Sequence, residues 1–121
     1  MKYIRLYADN LGDSHFEDME EELSLVEFAP PAPPVFVSDA REVKRFLFLR
    51  IPKGWAGDWH PVPKCQYFIL LSGTIEIRVS DGEVRTFPSG SVIFGEDASG
   101  KGHKTRVIGP DDAQVTIFQL D

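Results

Sequence analysis
The chain has 121 residues, 42% of them hydrophobic, which is enough for one buried core and too short for a second domain. Its net charge is −6, and the 13 lysines and arginines are dispersed and never gathered in a stripe, which excludes a nucleic-acid footprint. No run approaches the roughly 18 apolar residues of a membrane span, so no membrane partner is expected.

The opening MKYIRLYADN has no apolar leader core and no cleavage-like site, so a cytoplasmic location is expected. Lys2 to Tyr7 alternates apolar and polar residues and predicts a strand. The acidic stretch from Glu17 to Glu22, interrupted only by Met19, reads as a solvated face. Leu23 to Phe28 predicts a second strand; both this and the first read as outer or edge strands. Residues 29–34, APPAPP, fix φ and lack ladder donors, so they form an extended connector. Its expected role is an arm laid against its own barrel or a sister subunit.

Val43 to Ile51 is more apolar, with Phe46, Phe48 and Arg50 on one face and Leu47, Leu49 and Ile51 on the other, and both faces are expected to be largely covered. Tyr67 to Leu71 and Ile75 to Val79 flank the turn at Ser72-Gly73-Thr74, and a turn at Ser80-Asp81-Gly82 leads into Val84 to Phe87. Val92 to Phe94, His103 to Ile108 and Gln114 to Leu120 complete the series. No helical period persists. Short strands separated by turn residues predict an all-β fold, an antiparallel jelly-roll barrel with extended N-terminal strands. Residues 1–40 supply those strands and the Pro-rich arm packed on the barrel, and residues 41–121 supply the barrel, as one structural domain.

Polar residues on the inward parity mark the candidate pocket. Gln66 shares a face with Phe68 and Leu70, and His103 opens a strand whose same-face neighbours are Thr105 and Val107. If the two strands are neighbours across the barrel, His60, Gln66 and His103 converge. Neutral imidazoles bind Zn, Fe, Mn, Ni or Cu and leave positions open for substrate, whereas the glutamine carbonyl is the weak member because it carries no charge. Trp55 and Trp59 bracket the loop before His60, as an aromatic lid or as rim packing. Gly100, Lys101 and Gly102 offer backbone N–H groups and one charge to an anion, without the spacing of a phosphate-binding loop. Cys65, the one cysteine, excludes an internal disulfide and reads as a packed small residue.

The segment from residue 54 to 107 resembles the cupin superfamily, whose motifs are G-x5-H-x-H-x3,4-E-x6-G and G-x5-P-x-G-x2-H-x3-N. Gly54, His60 and Gly73 match the first motif, with Val62 at the second histidine and Gln66 at the glutamate. Gly100 and His103 match the second motif, after a loop that follows Gly90 and is about two residues longer than usual, with Val107 at the asparagine. The strings SHFED, WHPVPKCQ and GEDASGKGHKTR are also similar to those of small bacterial single-domain cupins, which implies that His15 and Glu17 belong to the same pocket.

The resemblance implies one divalent transition metal (Zn, Fe, Mn or Ni) on His60, Gln66 and His103. The incomplete ligand set leaves two alternatives: a metal-free pocket, or a rebuilt site recruiting His15, Glu17, Glu96 or Asp97. As a metal-dependent oxygenase, isomerase or lyase, the protein would use Glu17 or Glu96 as catalytic base, with His15, Trp59, Phe68, Lys101 and Thr105 around the substrate. As a non-catalytic module, it would hold or sense a small-molecule ligand in the same place. A homodimer through the N-terminal strands and the APPAPP arm fits either reading.

Overall fold
The computed structural model describes residues 1–121 as eleven strands and no helix, so no helix is long and apolar enough to cross a membrane. In chain order the strands are β1 (Lys2–Ala8), β2 (Ser14–Glu20), β3 (Ser24–Val26), β4 (Val35–Val37), β5 (Arg45–Ile51) and β6 (Gln66–Ser72). They continue as β7 (Thr74–Val79), β8 (Val84–Phe87), β9 (Val92–Gly95), β10 (His103–Ile108) and β11 (Ala113–Gln119). A six-stranded sheet runs β2-β1-β9-β6-β11-β5, a three-stranded sheet runs β10-β7-β8, and β3 and β4 form a separate hairpin.

Alternation places the core between the two larger sheets. In β7, Ile75, Ile77 and Val79 are buried while Arg78 faces solvent. They meet Phe87 and Val107 from their own sheet and Leu6, Phe16, Leu70, Ile93, Val115 and Ile117 from the other. Each such side chain contributes about 1.5–3 kcal/mol on burial.

Four sequence expectations change. β1 is not an edge strand: it lies between β2 and β9, parallel to β9. Ser14 to Glu20, where the sequence reading places no strand, is one: its Phe16 packs on Phe87, ring centroids 5.8 Å apart, while the acidic residues from Glu17 to Glu22 stay exposed or half-exposed. β1 and β2 therefore belong to the main sheet instead of packing on it. The hairpin β3–β4 and its proline connector stand clear of both sheets, with every residue from 22 to 36 exposed. Lastly, β5 is not covered on both faces. It pairs only with β11 at the end of the sheet, and Phe46 and Phe48 are 59% and 74% exposed.

Candidate functional site
The two halves of the predicted pocket come from different sheets. β6 brings Gln66 from the larger sheet and β10 brings His103 from the smaller one. His60, in the loop before β6, joins them through an isolated antiparallel bridge to His103, closed by two backbone hydrogen bonds of 3.0 Å. Gly102 makes this approach possible. Its φ is +74°, and a Cβ there would lie 2.2 Å from the His60 carbonyl carbon and oxygen.

The imidazole centroids are 4.7 Å apart with planes at 55°. His60 Nδ1 lies 2.8 Å from the Asp58 carbonyl oxygen, and His103 Nδ1 lies 2.5 Å from Asp97 Oδ2. Both partners are acceptors, so each Nδ1 carries a proton and donates, and in the neutral tautomer each Nε2 is the acceptor, with no hydrogen-bond partner in the chain. Asp97 is fully buried, and its Oδ1 has no hydrogen-bond partner.

Both histidines line a cavity of about 350 Å³. Leu6, Leu47, Leu49, Ile51, Trp55, Val62, Phe68, Ile77, Ile93 and Ile117 make its apolar wall, and Gln66, Gln119 and Thr105 add polar groups. Gln119 Nε2 donates to Gln66 Oε1 at 3.0 Å, which leaves Gln119 Oε1 buried without a partner. A buried acceptor in this condition costs about 1–3 kcal/mol, the kind of expense that functional pockets carry.

Of the sequence candidates, His60, Gln66, Phe68, His103 and Thr105 line this one cavity. The others lie elsewhere. Glu96 accepts from Arg5 Nε at 2.6 Å and Glu17 stands 3.7 Å from Arg5, so both carboxylates neutralise that guanidinium outside the cavity. His15 is held between Asp9 at 2.6 Å and Asp81 at 2.8 Å, and these bonds raise its pKa. Lys101 pairs with Asp13 at 2.8 Å and its N–H donates to the Gly12 carbonyl, so that loop is docked on the β1–β2 turn and does not cradle an anion. Trp59 is outside the lining, 5.8 Å from Lys104 Nζ, and Trp55 is the tryptophan at the cavity. Burial pushes the half-buried Cys65 thiol up, away from nucleophile character.

Sequence reasoning missed Gln119. Its signal was parity, since it shares a face with Val115 and Ile117 and is the polar member of an inward row.

A divalent metal does not fit the residues present. Two imidazole nitrogens are free, the Gln66 oxygen already accepts a hydrogen bond, and Val62, buried and apolar, occupies the place of a third donor. No group of three or more His, Cys, Asp or Glu is arranged to hold a metal ion, and no carboxylate or thiolate lines the pocket to offset a double positive charge.

Protein NMB1881 from Neisseria meningitidis superposes on this fold with a TM-score of 0.52 at 13% identity, over 85% of this chain and 89% of that one. The Schizosaccharomyces pombe Cnp3 cupin domain does so with a TM-score of 0.52 at 14% identity, over 89% of this chain and 73% of that one. No protein-family model matches the chain, and no curated protein does. At these identities the likeness is one of fold, and the fold is that of a cupin domain.

Proposed function
Starting from the cupin fold, we propose that the chain is a binding module for a small, largely apolar molecule carrying a hydroxyl or amine donor, held without a metal. The observation that carries this reading is the pair of free Nε2 acceptors on His60 and His103, fixed in place by Asp58 and Asp97 in an otherwise mostly apolar cavity. Apolar contacts supply most of the affinity and the imidazoles set orientation. One net hydrogen bond contributes about 0.5–1.5 kcal/mol, a roughly 2- to 12-fold preference for a ligand that can donate.

Calorimetry with phenol and benzene tests this directly, because the two rings differ by the O–H alone. Phenol binds tighter in the native protein, and His60→Phe combined with His103→Phe abolishes the difference. Equal affinity for the two rings would refute the reading. So would a stoichiometric transition metal in protein purified without a His-tag that is lost in His60→Ala.

The Asp97–His103 hydrogen bond favours a second reading, proton transfer in the same pocket with His103 as the base in place of Glu17 or Glu96. Deuterium washout from a small α-deuterated ketone, lost in His103→Phe, is its measurement.

A further inference from the structure
β5 and the hairpin β3–β4 are two unpartnered apolar elements of one chain. β5 ends the six-stranded sheet, so one of its backbone edges is free, and β3 pairs with β4 alone. Leu25, Phe28 and Phe36 of the hairpin region are 59%, 70% and 67% exposed, comparable with Phe46 and Phe48 on β5. Long apolar edges of this kind are templates for another strand, and soluble proteins normally blunt or cover them.

Their charges are complementary. Arg45 and Arg50 form no ion pair within the chain, and neither do Glu22 and Glu27, although eleven such pairs are made elsewhere. Each pair of like charges brackets its strand at a spacing of five residues, about 16–17 Å of extended chain.

We propose that a second copy of this chain covers β5 by antiparallel addition of its own β3. The register that sets the partner's Glu27 opposite Arg45 also sets the partner's Glu22 opposite Arg50. It then places the partner's Leu25 beside Leu47 and the partner's Val26 beside Phe46. Parity is kept throughout: the Leu–Leu pair lies on the cavity face of the sheet and the Phe–Val pair on its outer face. A two-fold axis repeats the contact, so each copy gives one hairpin and receives one. Leu47 lines the cavity, so the partner's Leu25 extends the pocket wall; this consequence alone rests on the ligand-binding reading.

Sedimentation or light scattering of the full chain tests the interface. The native protein runs at twice the 13.6 kDa chain mass. All four charged residues are exposed, so their reversal leaves the fold intact. Arg45→Glu with Arg50→Glu turns attraction into repulsion at both symmetric contacts and raises the dimer dissociation constant at least about 10-fold. Adding Glu22→Arg and Glu27→Arg to the same chain restores the dimer. A native monomer, a dimer indifferent to the arginine reversal, or a loss that the glutamate reversal fails to restore would each overturn the proposal. Phenol binding measured on the same samples separates the two ideas: a dimer that ignores phenol refutes the pocket reading alone, and a phenol-binding monomer refutes the interface alone.

Discussion
Replacing Gly102 by alanine tests how the site is assembled. The residue has φ +74°, which costs an L side chain about 1–2 kcal/mol, and its Cβ would stand 2.2 Å from the His60 backbone and 2.5 Å from the Pro61 nitrogen. Those contacts are with main chain and do not give way without moving it. The two 3.0 Å bonds of the His60–His103 bridge lengthen or break, as does the 2.7 Å bond from Ser14 Oγ to the Gly102 carbonyl. Each lost bond removes about 0.5–1.5 kcal/mol, so the substitution destabilises by about 2.5–6.5 kcal/mol in all. For a domain of this size, that lowers Tm by roughly 10–25 °C in scanning calorimetry. Gly82→Ala is the control. Gly82 also has positive φ, +102°, but nothing lies within 4 Å of its would-be Cβ, so it incurs only the backbone term. Equal Tm losses for the two substitutions would refute the view that Gly102 is required for close approach.

Three further outcomes are expected. His15 has its pKa raised by its hydrogen bonds to Asp9 and Asp81, so its stabilisation is complete below the unfolded value of about 6.5 and fades as pH rises through the folded value. The stability difference between native protein and His15→Gln should therefore shrink with rising pH above about 6.5, and a pH-independent difference would exclude the linkage. Gln66→Leu strands the buried Gln119 amide at a cost of about 1–3 kcal/mol, whereas Gln66→Leu with Gln119→Leu should cost less than the single change in urea denaturation. Leu70→Ala, at a side chain with no exposure, should cost about 2–5 kcal/mol, against under about 0.5 kcal/mol for Leu71→Ala at a residue 52% exposed.

Much of the site was legible because strand parity is a local property. Gln66, Phe68, His103 and Thr105 could be placed on inward faces from period-two alternation alone, and the cavity contains all four. Glu17, Glu96, His15, Trp59 and Lys101 were drawn in by chain proximity or by resemblance. Each proves to be engaged outside the cavity, most of them by a partner distant in sequence, such as Arg5 for Glu96 and Asp81 for His15. Ion-pair partners that far apart leave no local signal.

The sequence by itself determined that the chain is all β, roughly where nine of the eleven strands lie, and which residues of β6 and β10 face inward, because turn chemistry and alternation act over a few residues. The tertiary structure decided the order of strands in each sheet. That order made β1 an inner strand and left β5 an open edge, and it set His60 against His103 through a glycine with positive φ. These outcomes depend on which distant segments share backbone hydrogen bonds. Every peptide offers the same donor and acceptor, so the partner is chosen by the packing of the whole core.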